Sequence, residues 1–265
     1  MKTSSKIEFG DFQTPPILAD AVCSLLKSMG IKPTRIIEPT CGLGAFLAAA
    51  RVAFPETPLH GFEINPEYAA QAQNAHPKAT VRPVDFFSHD WDAELAGDAD
   101  PLILGNPPWV TNAAVATVSG SNLPAKANIY GLRGLAAKTG KANFDIAEWI
   151  VLRLLAARHG RPATLAMLVK NATARKVLRH AWRGHLPVSG ASLHLIDADT
   201  HFGAAVDACL LVARLGNTGP TEAPVFPGLV ANRPKYRIGL AGVDLVADLD
   251  AYERVRAFEG LFPFQ

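Results

Sequence analysis

The segment RIIEPTCGLGAFLAAARVAF (35–54) constrains the fold most, because an apolar run passes through a glycine turn straight into an alanine-rich helix. Strand, tight turn and helix make the first half of a βαβ unit, whose second strand returns parallel to the first. The pattern continues with strands LHGFEI (59–64), ATVRPVD (79–85) and PLILG (101–105), and a helix PEYAAQAQNA after the first of them. NFDIAEWIVLRLLAARHG reads as an amphipathic helix with Ile146, Ile150, Leu154 and Ala157 on one face, and ATLAMLVK (163–170) as a fifth strand. SLHLID and VDACLLVARL lie too close together for a crossover helix, which predicts an antiparallel pair of strands at one edge. The expected fold is α/β, a mostly parallel doubly wound sheet.

A chain of 265 residues, 49% hydrophobic and 19% charged, suits one large domain or a domain with a small appendage. No window of 18 apolar residues occurs and the start carries no apolar h-region, so no membrane span or secretory signal is expected. Cys23, Cys41 and Cys209 have neither metal spacing nor a disulfide framework, which fits a reducing cytoplasm and no metal. Thr14 before Pro15-Pro16 reads as the N-cap of a helix PILADAVCSLLKSM that ends at Gly30. Charge is polarised: residues 101–196 carry twelve Lys/Arg against two acids, and none of the acids falls between Glu148 and Asp197. That basic third suggests a polyanionic partner. The long 111–143 segment, rich in Gly, Ser, Asn and Lys, has the length of a functional loop. After Leu215, GNTGPTEAPVFPG reads as a linker, with one helix near ADLDAYERVRAF.

The glycine loop lets a ligand approach backbone N–H groups at a helix N-terminus. Glu63 ends the next strand, 21 residues after Gly42, where a carboxylate can accept from ribose hydroxyls. A dinucleotide would require a third glycine where Leu47 stands, and Glu38 beside the loop would repel a pyrophosphate. Glu38 suits a cationic nucleoside ligand, S-adenosylmethionine (AdoMet). Asp85 can accept the exocyclic amine of its adenine, with Phe86 on the ring. In LILGNPPWV (102–110) a strand stops at two prolines, neither of which can donate to a ladder. The rigid turn offers the Asn106 side-chain oxygen and the Pro107 carbonyl as acceptors for the two hydrogens of an aromatic amine. Pro108 stiffens it and Trp109 supplies a face for a base. Such a site works by orientation and placed dipoles, without a strong base.

DFQTPP, EPTCGLGAFL, GFEINP, VDFF and GNPPW, in that order, resemble the motifs of N6-adenine DNA methyltransferases of the gamma-type class I of restriction–modification systems. The resemblance covers about residues 9–215 and implies a Rossmann-like class I methyltransferase fold using AdoMet. It implies that Thr14 and Glu38 hold the methionine end, with Cys41 and Gly42 lining the loop. Glu63 would take the ribose, Ile64 the adenine ring and Asp85 its amine. Asn106, Pro107, Pro108 and Trp109 would hold the target amine, and Phe202 would stack on the flipped base with Trp109. Lys170, Arg175, Lys176 and Arg179 would lie along DNA phosphates.

Gamma-type enzymes continue into a sizeable target-recognition domain, so the expected division is a catalytic domain 1–215 and a short linker and extension 216–265. DNA is the expected partner, alone or with a separate specificity or restriction subunit. Three alternatives remain open at this point. Two keep the chemistry and change the substrate to an RNA base or a protein glutamine; the third is a non-catalytic DNA-binding subunit.

Overall fold

The computed structural model describes residues 13–110, 145–184 and 186–261. The 111–143 segment and Phe144 lie outside the described residues. The described chain runs α1 (Pro16–Ser28), β1 (Ile36–Glu38), α2 (Ala45–Ala53), β2 (Leu59–Glu63), α3 (Pro66–Ala75), β3 (Thr80–Pro83), α4 (Trp91–Leu95) and β4 (Leu102–Gly105). It resumes with α5 (Ile146–Ala157), β5 (Ala163–Lys170), α6 (Asn171–Arg183), β6 (Val188–Asp197), α7 (Ala198–Phe202) and β7 (Asp207–Leu215). Strands β8 (Glu222–Phe226), β9 (Tyr236–Ala241) and β10 (Asp244–Val246) precede α8 (Leu249–Leu261).

All ten described strands join one sheet in the order β10-β9-β8-β6-β7-β5-β4-β1-β2-β3. β1 pairs in parallel with β2 on one side and with β4 on the other, and β2–β3 and β4–β5 are also parallel. The β1-to-β2 and β4-to-β5 crossovers therefore run in opposite directions, and right-handed connections place their helices on opposite faces. The chain reverses its progress between β1 and β4, and in open α/β sheets ligands bind outside the carboxyl ends of the strands at such a switch point. With helices on both faces, β4 is buried throughout and β5 is buried up to Lys170.

β7 runs antiparallel to both β5 and β6, as the short connection through α7 requires. The structure differs from the sequence reading beyond that pair. β8 adds in parallel to β6, and β9 and β10 follow antiparallel, so the pair lies inside the sheet. The expected linker thus supplies a strand, with Ala223 and Val225 buried between half-exposed neighbours. Pro224 and Pro227 hide its period-2 pattern in the sequence.

Two helices also differ. α5 buries Glu148 as well as nearly all its apolar residues, because it contacts α4 and α6 rather than showing one polar face to water. α1 starts behind Pro15 without a side-chain cap, and the Thr14 hydroxyl is used elsewhere. No described helix is long and apolar enough to cross a membrane.

Candidate active site

The glycine turn after β1 is held by its own backbone. Gly42 (φ +52°) and Gly44 (φ +88°) take left-handed conformations that a side chain would strain, and α2 opens without a side-chain cap or an acid in its first turn. The Cys41 N–H donates to the Phe62 carbonyl (2.8 Å) and the Gly42 N–H to Glu63 Oε2 (2.9 Å). The other Glu63 oxygen accepts from the Asn65 N–H (2.9 Å), and Asn65 in turn caps α3. Glu63 therefore ties the loop to β2.

Gln13, which the sequence reading passes over, lies on this loop. Its Oε1 accepts from the Leu43 N–H (3.2 Å), and a Cβ at Gly42 would meet that oxygen at 2.6 Å. The signal was present, since Gln13 is the third residue of DFQTPP.

Glu38 is 3% exposed, and its Oε2 is buried without a hydrogen-bond partner. Burial, then the Glu63 charge, push its carboxyl well above the usual range, against a lowering by the Leu47 N–H. Burial and the same two acids also raise the Cys41 thiol. A buried carboxyl with an open acceptor, beside a second acid, is an environment that a cation would relieve. Ile64, next to Glu63, is 47% exposed at the strand end, where an apolar ring could cover it.

Asp85 ends the β3 turn, with Oδ1 accepting from the Phe87 N–H (2.9 Å). Phe86 departs from its expected place: it is buried and packs on Trp91 (4.8 Å between centroids), with Phe87 and Trp149 around it. It belongs to the core beneath Asp85 rather than to an open adenine face.

At the end of β4 the chain brings together residues 92 positions apart. Asn106 Nδ2 donates to Thr14 Oγ1 (3.3 Å), which directs the amide oxygen away from Thr14. Trp109 differs from the expected open stacking face. It is buried, its Nε1 donates to the Leu168 carbonyl (3.1 Å), and its ring meets Phe202 edge-on at 5.1 Å and 68°. The two rings expected to receive a base thus touch each other. Phe202 ends α7, which Asp197 caps through Thr200 and Gly203 (φ +63°) terminates.

The four expected phosphate contacts separate into two kinds. Lys170 turns inward, donating to the Trp109 carbonyl (2.8 Å) and pairing with Asp145 (3.0 Å). Arg175 reaches the Tyr236 hydroxyl (3.5 Å). Lys176 pairs with Glu148 (3.4 Å) and Arg179 with Asp244 (3.5 Å), and both cations are about half exposed. The Arg179–Asp244 pair is exposed on both sides and so weak and exchangeable, whereas the Glu148 carboxylate that Lys176 meets is 3% exposed. Arg158, in the same basic run, is fully buried against the carbonyls of Leu95, Asp98 and Pro162. Among the described residues no cluster of three or more His, Cys, Asp or Glu is placed to hold a metal ion.

No family model matches the chain. It is 36% identical over 260 residues, 95% of its length, to the type II methyltransferase M.NspV of a Nostoc species, and covers 54% of that protein. A second relative, the type II methyltransferase M.CvrRI of a Chlorella virus, is 36% identical over 102 residues, 38% of this chain and 25% of its own. The chain thus spans about half the length or less of the curated relatives it matches. Among solved structures, a class I AdoMet-dependent methyltransferase assigned in Listeria monocytogenes aligns at TM-score 0.52 and 14% identity, covering 82% of this chain and 67% of that one. A modification subunit assigned to a type I restriction enzyme of Vibrio vulnificus aligns at TM-score 0.51 and 14% identity, covering 96% and 54%. The chain has the Rossmann-like class I methyltransferase fold, and it is homologous in sequence to type II methyltransferases.

Proposed function

We propose that this chain is the catalytic part of an AdoMet-dependent DNA methyltransferase acting on the N6 amine of adenine. The observation that carries the reading is the Asn106 amide, anchored by Thr14 at the end of β4, one strand from the buried Glu38 carboxyl. Homology to a type II methyltransferase over 95% of the chain supports it. AdoMet, when bound, supplies an electrophilic methyl on a sulfonium centre.

The residues present fit that cofactor. Glu38 would neutralise the cationic methionine end, with Thr14, Cys41 and Gly42 around it. Glu63 would accept the ribose, Ile64 would cover the adenine ring, and Asp85 would take its amine. Asn106 and the Pro107 carbonyl would accept the target amine's hydrogens and orient its lone pair, with Pro108 and Trp109 fixing the turn. A base reaching this turn from a duplex leaves its stack at a cost of a few kcal/mol. Entry would replace an edge-to-face ring contact worth about 0.5–1.5 kcal/mol by stacking worth about 1–3 kcal/mol per aromatic. Phe202 therefore has a ring contact to exchange for the base.

DNA would run past the half-exposed Lys176 and Arg179, with the part-buried Arg175 beside them. A separate specificity subunit is a further proposed partner, supported by the likeness to a type I modification subunit in fold. The proposed division is a catalytic unit over 1–215, with 216–265 extending its sheet.

Transfer of labelled methyl from AdoMet to mixed-sequence duplex DNA, with nucleoside analysis, tests the reading. N6-methyladenine is the expected product. Asn106→Ala should lower transfer about 10²–10³-fold, as loss of one preorganised dipole does, while AdoMet binding stays within about threefold. Methylated RNA or protein, with unmodified DNA, would replace the substrate assignment.

A further inference from the structure

We propose that Lys170 is a positioning residue for the transfer centre, its ammonium fastening the Asn-Pro-Pro-Trp turn to β5 and to the start of α5. The inference rests on the functional reading above and deepens it. Pro107 and Pro108 have no N–H, so the turn cannot be tied down through its own donors at those positions. Its remaining handles are its carbonyls, the indole, the Asn106 amide and the backbone N–H groups of Asn106 and Trp109. β5 takes two of these: the Leu168 carbonyl accepts from Trp109 Nε1 (3.1 Å), and Lys170 Nζ donates to the Trp109 carbonyl (2.8 Å).

The same ammonium pairs with Asp145 Oδ2 at 3.0 Å. Asp145 is 6% exposed, and its Oδ2 also accepts from Thr173 Oγ1 (3.2 Å) while Oδ1 caps α5 through the Ala147 N–H (3.1 Å). Next to it the Ile146 N–H donates to the Val110 carbonyl (2.9 Å). Residues 109–110 and 145–146 are thereby stitched together, with Lys170 as the charged member. Leaving this place to meet a phosphate would strand a buried carboxylate, which is strongly unfavourable. Lys170 therefore stays with the turn when DNA binds. Displacing an aligned acceptor by about 1 Å can cost about 10²-fold in rate, so a contact three residues from Asn106 matters for turnover.

The test is Lys170→Met, which keeps the stem and removes the ammonium. Three quantities are measured against the wild-type chain: methyl transfer to duplex DNA, AdoMet affinity, and the indole N–H resonance of Trp109, assigned by its loss in Trp109→Phe. The expected result is a kcat about 10–100-fold lower, AdoMet affinity within about twofold and a displaced Trp109 resonance. Lys170→Arg should restore part of the turnover. Lys170→Met/Asp145→Asn removes the stranded charge and should recover stability with turnover still low.

Wild-type kcat with an unmoved indole resonance would overturn the proposal, and so would full turnover in the double variant. A flatter salt dependence of DNA binding with unchanged kcat would return Lys170 to the phosphate track. Absence of methyl transfer by the wild-type chain would instead overturn the functional reading, while the indole resonance still reports whether Lys170 holds the turn.

Discussion

Glu38 at the end of β1 and Glu94 in α4 are both largely buried glutamates, and their surroundings are opposite. Glu94 is approached by Arg35 Nη1 (3.1 Å), by Arg82 and by His89 Nε2 (3.1 Å), while Arg35 also holds Asp98 (2.6 Å). Burial works to raise its carboxyl, but the Arg82 contact, then His89 and Arg35, hold it below the usual range. Glu38 has a second carboxylate as its strongest charged neighbour and an oxygen with no hydrogen-bond partner. The first network is electrostatically complete within the chain. The second lacks a compensating cation among the described residues, which fits a site completed by a cationic ligand.

The largest effect that would sharpen this contrast is on the cofactor. Glu38→Gln keeps the shape of the protonated acid and removes its ability to ionise. AdoMet affinity, measured by calorimetry, should fall about 10–100-fold, the range of a charge-assisted hydrogen bond. The same variant should melt about 2–4 °C higher at pH 8. The sign follows from linkage: a raised carboxyl pKa means that the folded state keeps a proton the unfolded chain has released. Glu38 therefore subtracts stability as pH rises above 4.5 towards its raised value. Unchanged affinity would remove Glu38 from the cofactor site.

Glu94→Gln should do the reverse, costing about 1–3 kcal/mol of stability and leaving AdoMet affinity alone. Its carboxyl is lowered, so its contribution is present above 4.5 and is lost as pH falls through the lowered value. Denaturant unfolding at pH 3 and pH 7 should show the wild-type advantage over Glu94→Gln at pH 7 and a smaller one at pH 3. The smallest effect concerns the exposed cations. Lys176→Gln/Arg179→Gln should lower the salt slope of DNA binding by about 1–2, with AdoMet affinity unmoved. An unchanged slope would place the phosphate contacts elsewhere.

Much of the central sheet was legible because its signals are local. Glycines at 42 and 44, paired prolines at 107–108 and uninterrupted apolar runs each restrict φ, hydrogen bonding or burial within a few residues. Those restrictions specify strand ends, and strand ends of a parallel sheet specify where Glu38, Glu63, Asp85 and Asn106 gather. What stayed hidden depends on partners far along the chain. Phe86 reads the same whether its ring meets a ligand or Trp91, and Lys170 reads as one more member of a basic run. Of the strands after β7, β8 was masked by Pro224, since the compatibility of a proline with a sheet depends on which neighbour it pairs with, while β10 spans only Asp244–Val246.

The sequence by itself determined the order of the strands from β1 to β7, the acidic glycine loop and the Asn-Pro-Pro-Trp turn, because short-range sterics and hydrophobic periodicity set these within a few residues. Only the tertiary structure decided that Thr14 anchors Asn106, that Trp109 and Phe202 share a contact, and that Lys170 points inward to Asp145. Each of those joins residues from separate elements. Charge and hydrogen-bond partnership across such distances are set by packing, which no local pattern encodes.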